Sequence, residues 1–281
     1  MDRLISFAGL FVMMALAWLL SARRREVPWR TVVVGVLLQF ALAVFVLRTA
    51  VGHEIFDGLG RGFLGLLDFV DVGARFVFGA TAADGSRDLT ALTTFAFGTL
   101  STIIFFASLM SILYHLGIMQ RFVQVAAIVM RKTMRISGAE SVAAAANVFF
   151  GQAEAPLVVR PYLASMTTSE LMTVMQAGFA TLAGGVMAAY VRMGIDAGHL
   201  ITASVISAPA AVVMSKIMQP EVDEPLTRGR SAATVEITTV NVIDAAASGA
   251  IVGLQLALQI AAIIIAFLAL IAMAEFGFHW I

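Results

Sequence analysis

The 281-residue chain has no cysteine, so it forms no disulfide and holds no metal through thiolates. Histidine is nearly as scarce: His53, His115, His199 and His279 are scattered, without ligand-like spacing. Charged residues make up only 13% of the chain, and 18 basic side chains balance 18 acidic ones. A balanced charge supplies no basic field for a nucleic-acid partner. The chain is instead 60% hydrophobic, and its mean hydropathy of +0.94 lies outside the range of soluble domains. It reads as an integral membrane protein.

Five apolar runs reach the roughly 17 to 25 residues that a bilayer crossing needs. They are Leu4 to Leu20, Thr31 to Leu47, Leu89 to Leu116, Leu200 to Met218 and Val242 to Met273. The first is not a signal peptide, because its basic cluster Arg23, Arg24, Arg25 follows the apolar run instead of preceding it. Short loops rich in lysine and arginine stay cytoplasmic. That rule places the loop with Arg23 to Arg30 inside and the amino terminus outside. It also places inside the segment with Arg121, Arg131, Lys132 and Arg135, and the loop from Glu221 to Arg230.

Two stretches are amphipathic rather than apolar. Residues 51–80, VGHEIFDGLGRGFLGLLDFVDVGARFVFGA, carry too many charges to cross and predict a helix lying in the membrane interface. Gly58, Gly62 and Gly65 within it offer either a close-packing face or interfacial flexibility. Gln120 to Arg135 predicts a cytoplasmic surface arm.

The segment from Gly138 to Met193 behaves differently, because its hydrophobic signal is interrupted. Ala139 to Phe150 is a helix-forming run of twelve residues, too short to cross at about 1.5 Å per residue. Leu157 to Met166 is shorter still. Between them, in FFGQAEAPLVVRPYL (149–163), Gly151 tolerates any backbone angle and Pro156 suits the first turn of a helix. Two half-helices with a polar tip predict a re-entrant hairpin over 138–166. Hydrocarbon cannot satisfy the free backbone groups of such a tip, so it faces protein or a watery cavity. A carboxylate at membrane depth costs about 2.5 kcal/mol or more and is kept where something binds it, which singles out Glu154. Arg160 is expected to snorkel to the cytoplasmic surface. Downstream, Thr168 to Met193 is long enough to cross, but GFATLAGGV (178–186) at its centre permits either close helix packing or local unwinding. Secondary transporters build their midplane sites from such discontinuous helices.

Five blocks in this order, TIIFFASLMSILYHLGIMQ, GQAEAPLVVRPYL, GFATLAGGVMAAY, HLITASVISAPAAVVMSKIMQPE and NVIDAAASGA, closely resemble the concentrative nucleoside transporter family of bacterial type. The resemblance implies a cation-coupled nucleoside symporter, not an enzyme and without a cofactor. Gln152 and Glu154 would bind the nucleobase side of a nucleoside, with Gly151, Ala153 and Val186 lining the site. Sodium would be held by Asn147, Phe150, Thr181 and Leu182, an all-oxygen set that suits a hard cation. Proton coupling through Glu154 is the alternative, since a shielded carboxyl has a raised affinity for a proton. The resemblance further implies a homotrimer in the bacterial inner membrane, surrounded by lipid, taking up nucleosides of the uridine, cytidine and adenosine class. The family continues beyond the point matching Ile281 with a second hairpin that contacts the ribose, so these residues are expected to carry the nucleobase half-site and not to transport alone.

The expected architecture is an all-α polytopic membrane protein with about six crossing helices, one re-entrant hairpin and interfacial amphipathic helices. Scaffold helices 1 and 2 occupy 1–50, the interfacial segment 51–88, and the third span with the amphipathic arm 89–137. A transport core covers 138–220, made of the hairpin, the broken helix 168–193 and the span 199–218. A cytoplasmic loop and a long scaffold helix fill 221–281. Two other classes compete. A channel also uses re-entrant loops, normally repeated around an axis. An intramembrane hydrolase would need partners for Glu154, and the only suggestive set is Ser108, Ser111 and His115 on one helical face, which also reads as ordinary packing.

Overall fold

The computed structural model describes residues 2–81, 87–88, 95–148, 155–228 and 239–278. Its helices in chain order are α1 (Asp2–Leu19), α2 (Trp29–Arg48), α3 (Ala50–Phe78), α4 (Leu100–His115), α5 (Ile118–Met134), α6 (Gly138–Asn147), α7 (Ala155–Val158), α8 (Thr168–Ala180), α9 (Gly184–Arg192), α10 (Ala197–Met218) and α11 (Val242–Phe278). A π-helical turn, Phe95–Thr99, leads into α4, and a 3-10 helix, Arg160–Ser165, follows α7. Extended structure among the described residues is limited to one two-residue ladder, Ala80–Thr81 antiparallel to Arg87–Asp88, inside the segment expected to be interfacial. The protein is all-α in class. Stretches Trp29–Arg48, Phe97–His115, Thr168–Arg192, Ala197–Met218 and Val242–Gly277 are long and apolar enough to cross a membrane, and Phe7–Leu19 adds a shorter apolar helix.

The chain divides into two compact units. The first comprises Met1–Gly60, Gly117–Ala183 and Gly198–Ile237. Its core helix is α6, every residue of which is buried. The alanine run Ala143 to Ala146 keeps the helix thin enough for α5 and α8 to pack directly on it. Helix α5 is more than the expected surface arm. It buries Met119, Val123, Ala127, Met130 and Met134 as one apolar stripe, and leaves its arginines on the other side. Helix α2 comes close through Gly35, where a Cβ would collide with Val213 of α10 and Met134 of α5.

Three contacts gather loops at one end of this unit. The Ala22 N–H donates to the Met218 carbonyl at 2.9 Å. The Thr31 hydroxyl donates to the Met134 carbonyl at 3.1 Å, and the Gly138 N–H to the Thr227 carbonyl at 3.1 Å. These are the segments that the lysine and arginine distribution assigns to a single side of the membrane.

The second unit comprises Arg61–Leu116, Gly184–Ala197 and Thr238–Ile281. Its centre is the pairing of α4 with α11, where Gly249 and Gly253 let the two backbones touch. A Cβ at Gly249 would lie 2.7 Å from the Ala107 carbonyl oxygen, and one at Gly253 would lie 2.8 Å from the Ile104 Cα. Leu100, Ile103, Ala189 and Ala257 bring α4, α9 and α11 together in one buried cluster. Phe63 of α3 stacks on Phe106 of α4, with ring centroids 4.6 Å apart. Arg192, at the end of α9, pairs with Asp71 of α3. Gly62 and Gly65 of α3, like Gly58 in the first unit, have no described atom within 4 Å of where a Cβ would stand. Outside its contact with α4, α11 is largely exposed and almost wholly apolar, as a lipid-facing helix must be.

Candidate functional site

Two capping boxes in the first unit set the geometry of the interrupted region. At the start of α6, the Glu140 N–H donates to Ser137 Oγ at 3.2 Å, and the Ser137 N–H donates to Glu140 Oε2 at 3.0 Å. At the start of α8, the Glu170 N–H donates to Thr167 Oγ1 at 3.1 Å, and the Thr167 N–H donates to Glu170 Oε2 at 2.9 Å. Each box satisfies two amides that a bare helix start would leave unpaired, worth about 1 kcal/mol.

The boxes are also bonded to each other. The Ser137 hydroxyl donates to Glu170 Oε1 at 2.5 Å, and the Thr173 hydroxyl donates to Glu140 Oε1 at 3.0 Å. Both pairs join residues 33 apart, so α6 and α8 run parallel in one register. Carried along the helices, that register sets Asn147 level with Ala180, one residue before Thr181. The carbonyl ends of two helices therefore lie side by side, each equivalent to about half a negative charge.

Both helices stop there. Among the described residues α6 runs to Asn147, and the second short helix covers Ala155–Val158. Thr181 leaves the helical conformation with φ −113° and ψ 162°, and α9 resumes at Gly184. Of the two readings of the glycine cluster, unwinding holds at Thr181 to Ala183, and close packing holds nearby at Gly185, where a Cβ would meet Ile103 at 3.4 Å.

The expected ion ligands fall as follows. Asn147 is fully buried. Its Nδ2 donates to the Ala143 carbonyl at 3.0 Å, while its Oδ1 has no partner among the described residues. The Thr181 hydroxyl donates back to the Ala177 carbonyl at 2.8 Å, which leaves the oxygen lone pairs for a cation. Leu182 and Val186 are half-buried, Leu182 in the break and Val186 on α9. Phe150, Gly151, Gln152, Ala153 and Glu154 lie outside the described residues. Arg160 is exposed.

Sequence reasoning missed a buried charged cluster at the opposite end of α6 and α8. Lys216, near the end of α10, is almost fully buried and pairs with Glu140. Its remaining bonds run to Ser169 Oγ at 2.8 Å and Glu221 Oε2 at 3.4 Å. The Ser215 hydroxyl lies 2.9 Å from that of Thr173. Burial, the largest influence, pushes the Glu221 carboxyl above the usual range; Lys216 and the Thr167 hydroxyl pull it down, and Glu140 pushes it up. The signals were present as two S/T-x-x-E patterns, SGAE at 137–140 and TTSE at 167–170, each ahead of an apolar run.

In the second unit, the suggestive serine and histidine are used to seat α11. The Ser108 hydroxyl donates to the Ala246 carbonyl at 2.9 Å, and His115 Nδ1 lies 2.6 Å from Thr239 Oγ1.

Three family models match consecutive stretches. Residues 8–81 match "Na+ dependent nucleoside transporter N-terminus", residues 96–197 match "Nucleoside recognition", and residues 199–281 match "Na+ dependent nucleoside transporter C-terminus". The chain belongs to the Na+-dependent nucleoside transporter family. Among members of this transporter family, it is 43% identical over 280 residues to solute carrier family 28 member 3 of Mus musculus, covering 99% of this chain and 39% of that one. It is 41% identical over 283 residues to sodium/nucleoside cotransporter 1 of Mus musculus, covering 100% of this chain and 42% of the relative. The structure of CNTnw in an inward-facing substrate-bound state matches with a TM-score of 0.87 at 39% identity, over 97% of this chain and 66% of CNTnw. The chain thus spans about two fifths of the length of the curated relatives it matches. The nucleoside-recognition stretch of this transporter family runs from the π-helical turn before α4 past the end of α9, and so contains both helix breaks.

Proposed function

We propose that this protein takes up nucleosides concentratively, driven by a sodium gradient, and that residues 1–281 supply the nucleobase side of its site. The observation that carries the sodium assignment is the pair of parallel helix ends. Asn147 Oδ1, without a partner among the described residues, and the Thr181 hydroxyl stand at the ends of two parallel helices, whose carbonyl termini suit a hard cation. Asn147, Thr181 and the carbonyls of Phe150 and Leu182 hold the ion. Gln152 and Glu154 bind the nucleobase, beside Gly151, Ala153 and Val186. Family membership supports nucleosides as the substrate, since its relatives are named as nucleoside transporters and solute carriers. It weighs against the channel and hydrolase readings, as does the use of Ser108 and His115 in seating α11. In the same reading the amino terminus is outside the inner membrane of a bacterium, three copies assemble, and α6 to α10 form the core that carries solute.

The test is radiolabelled uridine and adenosine uptake by the full-length protein. Uptake should be saturable and sodium-dependent, Glu154→Gln should abolish it without loss of membrane insertion, and Thr181→Ala should raise the sodium concentration needed for half-maximal uptake. Normal uptake by Glu154→Gln removes that residue from the site. An unchanged sodium requirement in Thr181→Ala gives the coupling role to protons.

A further inference from the structure

The charged cluster at the starts of α6 and α8 holds three carboxyls, Glu140, Glu170 and Glu221, and among its described partners one cation, Lys216. Side chains of Glu140 and Lys216 are 1% and 4% exposed, and that of Glu221 is 19% exposed. Three ionised carboxylates and one ammonium would leave two net negative charges out of water, which is strongly unfavourable.

The hydrogen bonds tell the carboxyls apart. Glu140 receives the Ser137 N–H, the Thr173 hydroxyl and Lys216, and Glu170 receives the Thr167 N–H and the Ser137 hydroxyl. All of these groups donate, which suits carboxylates. Each of the two sits in the first turn of its helix, where the terminus supplies about half a positive charge. Two such termini and one ammonium neutralise Glu140 and Glu170. Among the cluster's described partners no further positive charge remains for Glu221. Its Oε2 accepts from the Thr167 hydroxyl at 2.9 Å and from Lys216, while its Oε1 is buried without a described partner. A proton on Oε1 removes the excess charge and leaves Oε2 free to accept both bonds.

Glu221 belongs to a strap, Gln219 to Thr227, tied down at three points. The Ser169 hydroxyl donates to the Gln219 carbonyl at 2.7 Å. Glu221 bonds Thr167, the cap of α8. Thr227 accepts the first two amides of α6, Gly138 through its carbonyl at 3.1 Å and Ala139 through its hydroxyl at 3.0 Å. Pro220 and Pro225 are both buried and restrict the backbone between these points, so release at Glu221 is transmitted to Thr227.

We infer that Glu221 is a proton-operated latch: with its proton the strap closes over the starts of α6 and α8, and without it the strap lifts. The titratable groups acting on it are Lys216 from α10 and Glu140 from α6, Glu170 of α8 shares its partner Thr167, and the strap's own Asp223 and Glu224 are exposed. The closed strap binds the proton more tightly than the open strap, in which Glu221 is an ordinary solvated glutamate. Below the ordinary glutamate range the proton's full contribution to closure is present, and that contribution is lost as pH rises to the raised value of the closed form. The inference does not rest on nucleoside transport.

Hydrogen–deuterium exchange of the Gly138 and Ala139 amides, in the full-length protein in lipid nanodiscs from pH 4 to 8, tests the latch. With intrinsic exchange rates corrected, protection in the wild type should fall by up to about tenfold per pH unit between the ordinary glutamate range and the raised value of the closed strap, and level off above it. Glu221→Gln, neutral at every pH, should hold these amides at high protection with no slope. Asp223→Asn should keep the wild-type slope, and protection of α2 amides reports that each variant is folded. A flat wild-type profile overturns the latch, as does an unchanged slope in Glu221→Gln or a lost slope in Asp223→Asn. Should Glu221→Gln not fold, the wild-type slope and its retention in Asp223→Asn decide.

Discussion

Lys216 is the residue on which the polar interior of the first unit depends, because it donates to Glu140, Ser169 and Glu221 from a position almost without solvent. Removing one member of such a pair leaves the other charge buried and uncompensated, at a cost of about 3 to 5 kcal/mol. Lys216→Met should therefore lower the thermal midpoint of the full-length protein in detergent sharply. Adding Glu140→Gln should recover most of that loss, since the stranded charge is gone and glutamine still serves a capping box. Arg23 and Glu26 provide the contrast. They lie 3.5 Å apart with side chains about half exposed, and Glu26→Gln should shift stability by less than about 1 kcal/mol. A double variant as unstable as Lys216→Met alone would mean that packing, not charge, sets the cost at this position.

Glycine shows how far the sequence was legible at the scale of an element. Nothing in the composition distinguishes Gly253 of α11 from Gly62 of α3, yet one touches a neighbouring backbone and the other has no described atom within 4 Å of where a Cβ would stand. Gly253→Leu forces α4 and α11 apart and should cost about 1 to 3 kcal/mol or more, read as a lower thermal midpoint. Gly62→Ala should stabilise α3 by about 0.5 to 1 kcal/mol, because a helix interior pays entropy for glycine and nothing obstructs the added methyl. The long helices were legible because hydropathy over twenty residues is a strong signal, and the stop in the helix after Ala180 was half legible, because glycine clusters permit two outcomes. Helix α5 was misjudged: its arginines advertise a surface, but five apolar side chains at helical spacing bury the other face. The charged cluster was invisible for another reason. Lys216 stands near the end of an apolar run and its partners are 76, 47 and 5 residues away, so only the fold brings them together.

At the scale of the whole molecule, the proposed sodium coupling makes a quantitative demand that no single side chain can meet. Uphill uptake requires that ion and solute bind as a pair, so that occupancy of one site changes the free energy of the other. Asn147 and Thr181 sit at the ends of helices whose next residues lead toward Gln152 and Glu154 in one direction and into Leu182 in the other. A cation held at these ends would fix both breaks in one arrangement. Sodium should then tighten nucleoside binding, and nucleoside should tighten sodium binding by the same factor, in the range of about 5- to 150-fold for a coupling of 1 to 3 kcal/mol. Titration calorimetry on the full-length protein, with uridine titrated at several sodium concentrations and sodium at several uridine concentrations, measures the two factors independently. Thr181→Ala should reduce both together, while Glu221→Gln, at the far end of α6 and α8, should leave both as they are. Unequal factors would show that a third ligand, a proton included, shares the cycle; a factor of one in both directions would separate the ion from the solute altogether.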